Sequence, residues 1–165
     1  MNPTSFRGHS RFLGLLLGVG AVAAVVSGGG SLAARASAPA LTPVTSYRSA
    51  SCGCCKGWVQ HMRANGFAVR DVVVADVAVI KRRLGVPARL ASCHTAEVAG
   101  FALEGHVPAA DVKRLLQKRP PLAGLALPGM PLGSPGMESA YGKEAFTVMA
   151  FTRTGAISSF SQHAK

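Results

Sequence analysis

The feature that most limits how this chain folds is a group of three cysteines within four residues, Cys52, Cys54 and Cys55. They follow a predicted short strand around Tyr47 and precede a predicted helix over 56–65, whose apolar residues recur on one side. Cys52 and Cys55 have Cys-x-x-Cys spacing, which is typical of thioredoxin-like domains when it lies between a first strand and a helix. The motif therefore predicts an α/β fold with the cysteines at the amino end of the first helix.

The rest of the chain alternates between strand and helix patterns. Gly66 is placed to end the cysteine helix, Asp76 to cap a second helix, and Pro108 to open a third. The predicted order after the cysteine helix is strand 67–75, helix 76–84, strand 95–103, helix 107–117, loop 122–140, and a hairpin of strands 146–151 and 156–160. We therefore predict an α/β fold, a thioredoxin-like single domain with a long Pro/Gly/Met loop and a C-terminal β-hairpin.

The first residues have the pattern of a secretory signal peptide. Arg7 and Arg11 precede an apolar run over 12–26, and small residues over 34–38 fit an A-x-A cleavage site. An uncleaved anchor is the alternative, because no charged residue lies between Arg11 and Arg35. We predict a signal peptide over 1–38 with cleavage near 36–38, a linker over 39–46 and the folded domain over 47–165. The domain is then expected in the periplasm, with no membrane span after cleavage.

The chain is strongly basic, with a formal net charge of +11. Its basic residues gather in predicted helical patches that contain no aromatic side chains, which would be needed to stack on bases. Together with export, this argues against nucleic acid as a partner. A solvated basic face, which also suits an anionic membrane or an acidic partner, is the favoured interpretation. The patches are Lys81, Arg82 and Arg83, then Lys113, Arg114, Lys118 and Arg119.

Thiols at a helix N-terminus are expected to have a lowered pKa, because the helix dipole stabilises the thiolate. Three kinds of chemistry are then open. Structural disulfides are common in exported proteins, but three adjacent thiols make a poor cross-link. A thiol–disulfide oxidoreductase would use Cys52 as nucleophile and Cys55 as resolving cysteine, although Cys54 between them invites disulfide exchange. The third is a soft-metal site, which we favour.

Crowded thiolates suit Cu(I), a soft ion. Zinc fits less well because its structural sites use two spaced pairs of ligands, and an iron–sulfur cluster is unusual outside the cytoplasm. Cys93 lies where a thioredoxin-like chain folds back beside the cysteine helix, so a fourth ligand is favoured over a free core cysteine. Four thiolates could share several Cu(I) ions, and Cu(II) is left open.

Histidines and methionines add further candidate donors. His94 follows Cys93 and is expected to ligate the metal or to orient Cys93. From its sequence context alone, His106 is expected to be a capping or surface residue. His61 is expected to face solvent, and His163 to lie in a frayed C-terminal tail.

Two methionines, Met130 and Met137, lie on the Pro/Gly-rich segment 127–138. Their soft sulfurs suit a metal-facing loop or a lid, and packing onto the core is the equal alternative.

Several motifs occur together in one order. They are Cys-Gly-Cys-Cys-Lys-Gly-Trp at 52–58, Gly-Val-Pro at 85–87, Ser-Cys-His-Thr-Ala at 92–96, Glu-Gly-His-Val-Pro-Ala at 104–109, and Gly-Leu-Ala-Leu-Pro-Gly-Met-Pro-Leu-Gly-Ser-Pro-Gly-Met-Glu at 124–138. This set resembles the CopG-type copper resistance family over about residues 45–163.

The resemblance implies a periplasmic, thioredoxin-like protein that binds copper and helps the cell to survive copper excess. It implies that the metal thiolates are Cys52, Cys54, Cys55 and Cys93, and that His94, His106, Met130 and Met137 are motif positions without an assigned role. It also raises a change of copper oxidation state as a further activity. The expected partners are copper ions and other periplasmic copper-handling proteins.

Overall fold

The computed structural model describes residues 43–164. The predicted signal peptide and its cleavage site lie outside the described residues. Within them no helix has the length and apolar character needed to cross a membrane. The elements are β1 (Val44–Arg48), α1 (Gly53–Ala64), β2 (Val69–Val73), α2 (Val77–Arg83), a 3-10 turn (Ala88–Leu90), β3 (Thr95–Val98), β4 (Phe101–Glu104), α3 (Ala109–Lys118), β5 (Gly124–Ala126), β6 (Phe146–Phe151) and β7 (Ile157–His163).

The strands form one mixed sheet in the order β2-β1-β3-β4-β5-β6-β7. β1 pairs in parallel with β2 and antiparallel with β3, which in turn pairs antiparallel with β4. β5 runs parallel to β4, and β6 and β7 complete the sheet as an antiparallel pair. The α/β class and the C-terminal hairpin are therefore confirmed.

Two hydrophobic clusters cover the two faces of the sheet. Phe101 and Leu103 belong to one cluster and Ala102 to the other, as the alternation of side chains along a strand requires. The larger cluster contains residues of α1 and α3, including Trp58 and Leu115. The smaller one is covered by residues at the end of α2 and in the 3-10 turn. The helices therefore lie in two layers with the sheet between them.

The predicted helix ends agree with the structure. Asp76 caps α2 by accepting a hydrogen bond from the backbone N–H of Ala78 at 2.8 Å. Gly66 follows Asn65, the C-cap residue of α1, and has φ +89°, a left-handed conformation that glycine adopts without steric cost.

Other boundaries differ from the prediction. The single strand predicted over 95–103 is two strands, β3 and β4, joined by a tight turn at Ala99 and Gly100. Both turn residues have positive φ, as a two-residue hairpin turn needs. The turn is hidden in the sequence because alanine is an uncommon residue in that conformation.

Three further differences concern strands. β5 lies inside the segment 122–140, which is predicted as a loop. Three apolar residues without alternation give no strand pattern in a sequence. They form a strand here because they pair with β4 on one side and β6 on the other. β7 continues to His163, so this histidine is in the sheet and not in a frayed tail. β1 begins at Val44, within the segment 39–46 expected to be a linker.

Candidate metal centre

The cysteine motif lies at the point where the chain leaves β1 and enters α1. Cys52 is the N-cap residue of the helix, in an extended conformation, and Cys54 and Cys55 lie in its first turn. Cys52 and Cys55 are joined as a disulfide, and the sulfur of Cys54 lies 3.6 Å from that of Cys52. Three sulfurs therefore meet at one helix N-terminus, as the sequence predicts.

The fourth sulfur arrives through the pairing of two strands. β3 is antiparallel to β1, and Tyr47 near the end of β1 is paired with Thr95 at the start of β3. The segment before β3, which carries Cys93, must therefore lie beside the start of α1. The result is that the ligand atoms of Cys52, Cys54, Cys55 and Cys93 all lie within 4.8 Å of one another.

Two histidines surround Cys93 on the buried side. Its sulfur lies 3.0 Å from Nε2 of His106 and 3.3 Å from Nδ1 of His94. His106 donates from Nδ1 to the backbone oxygen of Pro135 at 2.7 Å, because a carbonyl can only accept. Nε2 of neutral His106 is then free to accept the Cys93 thiol proton or to bind a metal.

Both histidines are fully buried, so His106 is neither a capping nor a surface residue. Burial lowers the pKa of His106 and lowers that of His94 well below its usual value. Nε2 of His94 is buried without a hydrogen-bond partner among residues 43–164. Neutral imidazoles next to a thiol are suitable metal ligands, and Cys93, His94 and His106 form a second compact group of ligand atoms.

The pKa of Cys93, which precedes β3, is shifted in the direction opposite to that expected of thiols at a helix N-terminus. Burial is the main cause that raises its pKa to about 11, and the nearby Cys54 adds to the rise. Cys93 is therefore a protonated thiol at neutral pH, and a metal must displace its proton.

The loop between β5 and β6 reaches the cysteines through one methionine. Met130 is 51% exposed, and its sulfur lies 4.0 Å from that of Cys54. Met137 joins a tight turn through its backbone, donating to the oxygen of Ser134 and accepting from the N–H of Gly133. Among residues 43–164 the structure has no sulfur contact between Met137 and the cysteines. Of the two methionines, the fold brings Met130 to the cluster.

Two glycines allow this loop to touch the cysteine helix. A Cβ atom at Gly136 would lie 2.5 Å from the backbone nitrogen of Trp58 and 2.6 Å from the backbone oxygen of Cys54. A Cβ at Gly57, on the helix, would lie 2.8 Å from Cα of Gly136. The backbones are therefore in direct contact, which holds the loop over the first turn of α1.

The other two histidines of residues 43–164, His61 and His163, have hydrogen bonds to groups other than the cysteine sulfurs. His61 was expected to face solvent, but its Nε2 accepts the backbone N–H of Ala109 at 3.1 Å, at the start of α3. Burial lowers its pKa. His163 binds the carboxylate of Asp111 at 2.8 Å and stacks on Phe146. Both histidines have structural contacts that the sequence pattern does not reveal.

A buried carboxylate beside the site escapes prediction from the sequence. Glu104, the last residue of β4, is fully buried and accepts hydrogen bonds from Lys81, from the backbone N–H of Ser92 and from Thr95. Its pKa is raised because burial outweighs the opposing effect of Lys81. The available signal is a charged residue that ends an otherwise apolar strand.

Comparisons with known proteins give one family match and two similar solved structures. Residues 90–137 match the family described as "Protein of unknown function, DUF411". A solved structure of the copper resistance protein CopG, form 2, is 47% identical and has a TM-score of 0.71, covering 74% of this chain and 98% of that one. Form 1 is 46% identical with a TM-score of 0.72, covering 76% and 99%. No curated protein matches the chain.

Proposed function

Because this chain belongs to the CopG copper resistance family, we propose that it is an exported protein that holds Cu(I) on cysteine thiolates and contributes to copper resistance. The observation that carries the proposal is the placement of four cysteine sulfurs within 4.8 Å of one another. Thiolates are soft ligands that favour Cu(I) over harder ions.

The proposed site is polynuclear. Four thiolates within 4.8 Å of one another would be close enough to be shared between neighbouring Cu(I) ions, and soft thiolates would supply the ligands that Cu(I) favours. We assign the thiolates to Cys52, Cys54, Cys55 and Cys93, as the sequence predicts. His94, His106 and Met130 are proposed as neutral donors, on the grounds of their short distances to Cys93 and Cys54. We assign no metal contact to Met137, which remains a motif position without an assigned role.

Loading of the site requires the disulfide to open. The bond between Cys52 and Cys55 takes up two electrons and two protons, supplied by a dithiol reductant, and becomes two thiols. Cu(I) then displaces the thiol protons, including that of the buried Cys93. The binding-competent form is therefore the fully reduced protein.

We also propose that the domain is a thioredoxin-like fold with a C-terminal extension. The support is the strand order β2-β1-β3-β4, in which β3 runs opposite to the other three, together with a Cys-x-x-Cys motif that opens the helix after β1. β5, β6 and β7 are then an extension of that sheet. The periplasm is the proposed location, based on the signal-like residues 1–38.

The test is an anaerobic titration of the reduced chain over residues 39–165 with Cu(I), with the copper-to-protein ratio measured by elemental analysis. We expect several coppers per chain and a sharp fall in Cys93→Ser. His163→Ala is the matched control, because that histidine contacts Asp111 and not the sulfurs. The absence of tight Cu(I) binding would contradict the proposal.

A second candidate, a thiol–disulfide oxidoreductase, is favoured by one observation. The disulfide of Cys52 and Cys55 lies at a helix N-terminus, where a thiolate is stabilised. This activity predicts reduction of insulin disulfides that is lost in Cys52→Ser and kept in Cys93→Ser. A copper-binding protein without it would protect its thiols from alkylation when Cu(I) is present and leave insulin unchanged.

A further inference from the structure

Glu104 is fully buried, and it lies in a strand whose other residues are apolar. These are Phe101, Ala102 and Leu103. A buried charge destabilises a fold by several kcal/mol unless it is paired and hydrogen-bonded. Here Lys81 of α2 supplies the opposite charge. Packing of β4 alone does not require a carboxylate at this position.

The two carboxylate oxygens bind on either side of Cys93 and His94. Oε1 accepts the backbone N–H of Ser92, the residue before this pair. Oε2 accepts the hydroxyl of Thr95, the residue after it, at 2.6 Å. Glu104 therefore brackets the dipeptide that carries the fourth sulfur.

The same network reaches the loop that carries Met130. The hydroxyl of Ser92 donates to the backbone oxygen of Gly129 at 2.7 Å, one residue before that methionine. Ser92 is thus fixed by its N–H to Glu104 and by its side chain to the loop. Lys81 also donates to the hydroxyl of Thr95 at 3.0 Å, which closes the network on the side of α2.

We propose that Glu104 is a positioning residue of the metal centre, which holds Cys93 against the three cysteines of α1 with Lys81 as its counter-ion. Glu104 does not belong to the groups of ligand atoms formed by the cysteines and by Cys93 with the two histidines. It acts by fixing the backbone on both sides of the Cys93 thiol. The inference rests on the proposed copper function for its effect on metal binding, whereas the position of the thiol can be tested without metal.

The choice of variants follows from the pairing of Glu104. Glu104→Leu alone would leave the partly buried ammonium group of Lys81 without an opposite charge. The informative variant is therefore the double substitution Lys81→Met/Glu104→Leu, which removes both charges. Glu104→Gln is the conservative variant. Its amide oxygen can accept from Ser92 and Lys81, and its NH2 group can donate to the Thr95 hydroxyl.

Asp111→Ala is the control for general destabilisation. Asp111 is also buried and paired, with Arg114, Ser161 and His163, but its contacts are with α3 and β7 and not with the sulfurs. A role that is only structural would make this variant and the double variant behave alike.

The first measurement is the rate of alkylation of Cys93 by iodoacetamide in reduced, metal-free protein, mapped by mass spectrometry, with Cys54 as a reference in the same molecule. We expect at least about a tenfold rise in the Cys93 rate in the double variant, a near-parental rate in Glu104→Gln, and no rise in Asp111→Ala. The second measurement is Cu(I) affinity, expected to fall about 10- to 100-fold in the double variant, as is common when a group that orients a ligand is lost.

If the parent chain binds no Cu(I), the proposed function fails, but the alkylation rates still decide the role of Glu104. A parental Cys93 rate in the double variant overturns the positioning role. So does an equal rise in Asp111→Ala. Should the double variant fail to fold, Thr95→Val removes the bond to Oε2 and the bond from Lys81 to the Thr95 hydroxyl, and leaves the bond between Oε1 and the N–H of Ser92 in place. In that case a raised Cys93 rate supports the inference and a parental rate overturns it.

Discussion

Replacing Gly136 with alanine is expected to separate the loop that carries Met130 from the cysteine helix. Gly136 has φ +82°, and an added Cβ would meet the backbone nitrogen of Trp58 at 2.5 Å and the backbone oxygen of Cys54 at 2.6 Å. These are backbone atoms in the first turns of a packed helix, which cannot rotate away as a side chain can. The methyl group therefore either strains the helix or pushes the loop outwards.

Two contributions to the free energy of unfolding can be estimated. A left-handed conformation destabilises a residue with a Cβ by about 1–2 kcal/mol, partly offset by about 0.4–1 kcal/mol because alanine restricts the unfolded chain. Overpacking adds about 1–3 kcal/mol. We expect Gly136→Ala to lower the free energy of unfolding by roughly 2–4 kcal/mol, together with a loss of Cu(I) affinity.

Gly129→Ala is the matched control. Gly129 lies on the same loop with φ +71°, but an added Cβ there meets nothing within 4 Å. Gly129→Ala is therefore destabilised by the left-handed conformation of its backbone but not by overlap of the added Cβ with other atoms. Urea unfolding and competitive Cu(I) titration of both variants check the difference. Equal stability and equal copper affinity of the two variants would refute the proposed close packing of loop and helix.

Other predictions concern single contacts. Trp58→Phe removes the buried bond from Nε1 to the oxygen of Val107, 2.8 Å long, and should destabilise the fold by about 1–3 kcal/mol in urea unfolding. Since the pKa of Cys93 is about 11, its proton is displaced by Cu(I) below that pH. The apparent affinity for Cu(I) should therefore rise with pH. A plot of the logarithm of this affinity against pH should have a slope that is smaller by about one proton in Cys93→Ser; equal slopes would contradict this. Met130→Leu should keep the copper ratio but speed copper removal by a chelator, because its exposed sulfur lies beside Cys54; an unchanged rate would count against a role for Met130.

Local signals in the sequence predict much of the fold. The cap at Asp76 and the left-handed Gly66 depend on the preferences of neighbouring residues, and both were correctly placed. The turn at Ala99 and the short strand β5 were missed because strand pairing, and not local preference, stabilises them. The buried contacts of His61 and His106 were missed for a similar reason, since their partners lie on distant segments.

What the sequence by itself determines is the set of soft donors and the placement of three of them on one helix end, because covalent spacing and helix geometry suffice for that. Only the tertiary structure decides that Cys93 joins them, through the pairing of β1 with β3. It also decides that Met130, and not Met137, has its sulfur beside Cys54. Glu104 owes its place beside Ser92 and Thr95 to the pairing of β3 with β4. Burial then raises the pKa of Cys93, an effect that depends on the surrounding atoms and not on the residue itself.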